Sequence, residues 1–220
     1  MSTSTDQPTS VKTSETSAKG SQPGDASSQS VEASAQSGGS STQPGGEPAQ
    51  SVGASANTAK FIRLLRNPLK FRLYLLARLP SAYFSGLKIR EIDDQHCITS
   101  VPFKWFSQNP FRSTYFACLS MAAEMSTGAL AMAHIYRHDP PISMLVVKME
   151  CSYFKKATGL TRFTCTDGVA IRQTIERALT SGQGEIFRAR SIGTNDAGEE
   201  VAEVFITWSF KAKVGSPAGR

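Results

Sequence analysis

Residues 1–57 contain no Phe, Trp, Tyr, Leu or Ile. A segment without those side chains cannot bury enough apolar surface to offset its chain entropy, and disorder is expected there. What it holds instead is 15 serines, two cations (Lys12, Lys19) and five acids (Asp6, Glu15, Asp25, Glu32, Glu47). Short blocks at 37–40 and 43–48 have the composition of flexible linkers. The chain therefore divides into a disordered Ser/Gly/Gln-rich tail over 1–57, one domain over 58–212, and a flexible C-terminus over 213–220.

Other absences narrow the class. Cys97, Cys118, Cys151 and Cys165 form no CxxC pair and stand at no metal-ligand spacing from the three histidines, which excludes a zinc module. No secretory signal or Arg-rich transit segment opens the chain, so reduced thiols in a cytoplasmic protein are expected, packed as small hydrophobes. No repeat suggests a solenoid. Residues 58–220 carry 22 cations and 13 acids, a net +9. Those cations are scattered, no nucleic-acid motif accompanies them, and no nucleic-acid partner is expected.

Residues 58–79 repeat at helical spacing. Phe61, Leu64, Leu65, Leu69, Leu73, Leu76 and Ala77 recur among six cations, with a break at Asn67-Pro68 and an end at Pro80. Such a basic amphipathic segment packs on its own domain or lies on an anionic membrane, the second being the lesser alternative. Residues 84–102 read as two strands around Asp93-Asp94-Gln95. A long helix follows over roughly 113–137, with Ser113 or Thr114 as N-cap. Period-two patterning then predicts a strand over 142–157, turned by Gly159 into another over 160–166. A short helix over 169–180 and a hairpin of 185–194 with 199–211 complete the chain. This order describes an α+β fold, an antiparallel sheet wrapped around one long central helix.

That central helix is apolar or small on every side, the pattern of a helix buried all round. Polar groups interrupt it too often for a convincing membrane span. Glu124 stands alone in its middle with no cation among its helical neighbours. A buried carboxylate must be paired, neutralised or used. Either it snorkels to an edge or a strand arginine meets it, or it is a general base or nucleophile with a raised pKa.

The run Trp105-Phe106-Ser107-Gln108-Asn109-Pro110-Phe111-Arg112-Ser113-Thr114-Tyr115-Phe116, followed by Met121-Ala122-Ala123-Glu124, resembles the hotdog-fold branch catalogued as domain of unknown function 4442. So do Phe71-Arg72-Leu73-Tyr74-Leu75-Leu76-Ala77-Arg78-Leu79-Pro80 and Ser152-Tyr153-Phe154-Lys155-Lys156-Ala157. The resemblance covers about residues 60–212. It implies a hotdog fold and an acyl-CoA or acyl-carrier thioesterase. Glu124 would then occupy the place of the catalytic carboxylate, and N–H groups at the helix start would polarise the thioester carbonyl. Many relatives carry His-Gly-Gly at that start, where this chain has Thr114, Tyr115 and Phe116. Asn109 resembles a residue that orients substrate or water, or is turn chemistry before Pro110. Thr127 lies one turn beyond Glu124, within reach of substrate or of its own helix carbonyl. Lys155, Lys156 and Arg162 are candidates for the CoA phosphates.

The leading expectation is a thioester hydrolase acting as a homodimer or dimer of dimers on an acyl-thioester small molecule. It needs no metal and no cofactor beyond the CoA part of its substrate. The alternatives are a non-catalytic acyl- or lipid-binding module and a peripheral membrane protein docked through the basic first segment.

Overall fold

The computed structural model describes residues 55–213. The tail expected over 1–57 falls outside them except for its last three residues, and so does all but the first residue of the expected C-terminal stretch. Ser55 accepts a hydrogen bond from the Thr58 N–H at 3.2 Å and starts helix α1 (Ala56–Arg66). Asn67 ends it and caps the next helix, α2 (Pro68–Arg78), through Lys70 N–H at 3.0 Å, with Pro68 in the first turn, where its missing N–H costs nothing.

Pro80 was expected to end this segment. It does, since α2 stops at Arg78, and it also opens a short helix α3 (Pro80–Ser85), because proline is tolerated as a first helical residue. Gly86, at φ 78°, ends α3 in a conformation that favours glycine.

Strands β1 (Lys88–Ile92) and β2 (Cys97–Val101) form the expected hairpin. A single 3-10 turn spans Trp105–Ser107. The central helix α4 (Phe116–Ile135) begins later than its sequence suggests, and neither Ser113 nor Thr114 caps it. Residues 107–114 are drawn into a closed loop: Gln108 bridges Thr114, the Ser113 hydroxyl donates to Asn109, and Thr114 N–H donates to Ala157 O at 2.7 Å. Tyr115 therefore stands at the N-cap with no side-chain bond.

Strand β3 (Ile142–Tyr153) stops short of 157, since Phe154 N–H and Lys155 N–H both turn to Val201 O. Strand β4 (Thr161–Cys165), helix α5 (Gly168–Ser181), and strands β5 (Glu185–Thr194) and β6 (Glu200–Ala212) follow. The six strands are ordered β1-β2-β4-β5-β6-β3 and every pair is antiparallel. The expected turn from β3 into β4 is thus a crossover from the sheet edge to its middle: β3 pairs only with β6.

Helix α4 packs on β2, β4, β5 and β6, and α5 packs against α4, β5 and β6. Small residues allow this close approach, with Ala122, Ala123, Ala131 and Ala133 fully buried. Polar groups on the buried side are satisfied. Thr99 Oγ1 donates to Ala122 O at 2.7 Å, and Ser126 joins Ala123 O and Ser191. Composition and length would let α4 cross a membrane, but most of it is buried in this domain. Phe163, Phe210, Leu75, Ile92, Leu130 and Ile171 are the largest fully buried side chains of one core. It is an antiparallel sheet around a central helix.

Candidate functional site

Glu124 lies toward the N-terminal helices, whose residues line the same space. It lines a cavity of about 570 Å³ with Phe61, Leu64, Tyr74, Met125 and Met132 among its neighbours. Phe61, Leu64 and Leu65 come from α1 and Lys70, Phe71 and Tyr74 from α2. The periodicity read as self-packing thus also roofs a cavity. A smaller space next to Glu124 is bounded by Arg78, Leu79, Met121 and Met125.

Gly128, one turn on, makes room for the carboxylate. A Cβ there would lie 3.1 Å from Glu124 Oε1 and 3.2 Å from the Trp208 ring. Among the described residues the carboxylate meets neither a hydrogen-bond donor nor a cation within bonding distance. Burial alone pushes its pKa above the ordinary carboxylate value. A carboxylate so held is a stronger base than one in water and has a ready-made apolar neighbour space.

The other expected residues divide into two places. Thr127 is fully buried and its hydroxyl is spent: it donates to Glu124 O at 3.1 Å and accepts from Trp208 Nε1 at 3.0 Å. Asn109 Oδ1 accepts from Phe111 N–H, Ser113 N–H and the Ser113 hydroxyl, which shapes the loop ahead of α4. Neither residue lines the two spaces beside Glu124.

Thr114, Tyr115, Phe116, Lys155 and Lys156 do come together, at the start of α4. Thr114 bonds Ala157 through its backbone, while its buried hydroxyl has no partner among the described residues. The exposed rings of Tyr115 and Phe116 lie 4.8 Å apart, and Phe116 meets Tyr153 at 6.4 Å. Tyr153 bonds Ser120 at 2.9 Å, and burial outweighs that bond to push the phenol up to about 12. Lys155 Nζ is paired with Glu199 at 2.7 Å, and Arg162 with Asp196 at 2.7 Å. Lys156 is exposed and has no ion-pair partner among the described residues.

His134 is half-buried and fixed to the β1–β2 turn: its Nε2 lies 2.9 Å from Asp94 O, and burial lowers its pKa. Among the described residues no cluster of His, Cys, Asp and Glu could hold a metal.

Sequence reading missed Lys70, Tyr74, Met125 and Met132 as cavity residues, and Tyr153 and Ser120 beside the helix start. Gly128, four residues after the lone acid, was the available signal.

A family model described as domain of unknown function DUF4442 matches residues 71–210. The fold is shared with a Pseudomonas aeruginosa protein of unknown function described as a probable thioesterase: TM-score 0.57, 22% identity, 66% of this chain and 97% of that one. A Chlorobaculum tepidum protein of unknown function aligns at TM-score 0.58 and 16% identity, over 73% of this chain and 100% of that one. A thioesterase candidate from Shewanella oneidensis aligns at TM-score 0.56 and 11% identity, over 70% and 99%. No curated protein matches the sequence.

Proposed function

Because this chain belongs to the DUF4442 family and has a thioesterase-like hotdog fold, we propose that it hydrolyses an acyl thioester of CoA or an acyl carrier, with Glu124 as the base. The observation that carries the reading is an unpaired carboxylate against an apolar cavity. In this reading the acyl chain occupies the space under α1 and α2. Glu124 removes a proton from water as the water oxygen adds to the thioester carbonyl. The C–S bond then breaks, and the thiolate takes up a proton to leave a carboxylic acid and a free thiol. No cofactor enters beyond the CoA portion of the substrate.

The open N–H groups at the start of α4 are suited to polarise that carbonyl. They stand about 12 Å along the axis from Glu124, at about 1.5 Å per residue from Phe116. In this reading the helix start of a second copy supplies those N–H groups, as a homodimer or a dimer of dimers. Lys156 is the lysine left for the CoA phosphates. The reading keeps the cytoplasmic setting expected from the thiols.

The rings of Tyr115 and Phe116 at that helix start favour a second reading, a binding module that holds an acyl chain without cleaving it. A thiol-release assay on short, medium and long acyl-CoAs separates the two. Hydrolysis that falls by about 10²-fold or more in Glu124→Gln and Glu124→Ala supports the first. No hydrolysis at any chain length, with an acyl ligand retained by the purified protein, sinks it in favour of the second.

A further inference from the structure

We propose that the outer face of α2, continued by α3 and the aromatic turn at 105–107, docks on an anionic lipid bilayer. This does not rest on the catalytic reading.

The faces of α2 are divided three ways. Phe71 and Leu75 point into the core, and Lys70 and Tyr74 line the cavity. A third face remains, on which Leu69, Leu73 and Leu76 recur at helical spacing around Arg72. Leu69 is 68% exposed and Leu73 58%. This face does not end with the helix. The Arg72 guanidinium sits 4.7 Å over the Tyr83 ring, Tyr83 meets Phe84 at 5.3 Å, Phe84 meets Phe106 at 5.6 Å, and Phe106 meets Trp105 at 6.3 Å. Trp105, at the far end, is 82% exposed. Leucines and a Trp-containing aromatic cluster thus form one connected surface of a kind that sits well at a membrane interface.

Charge selects the partner. Residues 55–90 hold eight cations (Lys60, Arg63, Arg66, Lys70, Arg72, Arg78, Lys88, Arg90), and the first acid after them is Glu91. No ion pair among the described residues involves a residue before Glu91. Lys104 and Arg112, on either side of the aromatic turn, are likewise unpaired. Apolar side chains flanked by cations, with no carboxylate between, match acyl chains beneath anionic headgroups. A second copy docked here about a two-fold axis would set these cations against themselves.

The test is flotation of the full-length protein with phosphatidylcholine vesicles and with phosphatidylcholine–phosphatidylglycerol vesicles. The wild type should float with the anionic vesicles alone, and raised salt should release it. The doubles Leu73→Glu with Leu76→Glu and Trp105→Ser with Phe106→Ser should each lower binding by about tenfold or more, with unchanged circular dichroism. The proposal is overturned by no flotation, by equal binding to neutral vesicles, or by variants that bind like wild type. It is equally overturned if vesicles are ignored while the same variants abolish a concentration-dependent rise in mass, since a second copy then covers the face.

Discussion

Replacing Glu124 by Gln keeps the shape of the side chain and removes a charge that nothing in the described fold compensates. The E124Q protein should be more stable than wild type at neutral pH by about 1 kcal/mol, read as roughly 2–4 °C in Tm by calorimetry. The pH dependence has a definite sign. The folded pKa of Glu124 lies above the unfolded one, so below the ordinary carboxylate value both states are protonated and the variant has no advantage. As the pH rises, the unfolded chain releases its proton first and wild type loses stability, until Glu124 ionises in the fold as well. The gap should therefore open with pH and then level off; a gap that widens toward acid would contradict the burial argument. His134 works the other way. Its folded pKa is depressed, so it withdraws stability as pH falls through the ordinary histidine value. His134 is the same in wild type and E124Q, so its contribution cancels from the difference between them. That the residue of interest was Glu124 could be read from the sequence, because it is the one acid in a helix that is otherwise apolar or small. The alternatives open to Thr127 and Asn109, a bond to its own helix carbonyl and turn chemistry, are the ones the structure fills; the Trp208 partner of Thr127 could not be read, because packing alone fixes it.

Among the elements, the β1–β2 turn shows how the helices lock the sheet. His134 in the last turn of α4 bonds Asp94 O, and Gly168 at the start of α5 donates its N–H to Gln95 O at 2.9 Å. A Cβ on Gly168 would run into the backbone of Asp94 and Gln95, which has no flexible end to move aside. Gly168→Ala should cost about 1–3 kcal/mol, seen as a lower urea midpoint with an unchanged slope; an unshifted midpoint would mean that the turn yields freely. Periodicity was enough to find both long helices, the β1–β2 hairpin and the β5–β6 hairpin, since each has a local apolar pattern with turn residues at its end. It was not enough for α3, where six residues give no full repeat and Pro80 reads equally as a stop and as a start. Nor could it pair β3, because Gly159 offers a turn whose strands the sheet does not join. The roof over Glu124 was hidden for a related reason: α1 and α2 show an apolar stripe, and a stripe does not say whether it meets side chains or empty space.

On the scale of the whole molecule, β3 is a twelve-residue edge strand with little cover. Val146, Met149 and Tyr153, which share a face with the buried residues of β6, are still exposed. A long apolar edge of this kind is a template for another chain, and it lies beside the helix start that the catalytic reading needs from a second copy. Val146→Glu with Met149→Glu should halve the mass found by sedimentation velocity and remove thioester hydrolysis together. A mass unchanged by both charges would place the contact elsewhere. The cavity itself is bounded by two parts of the chain with different obligations. Glu124, Met125 and Gly128 belong to a helix whose other side is the interior of the sheet, so any change in this floor must first be compatible with folding. Leu64 and Tyr74, in the roof, are half open to solvent and answer mainly to what lies beneath them. Selection can therefore retune what the protein accepts by altering the roof, while the central helix and its acid are inherited unchanged.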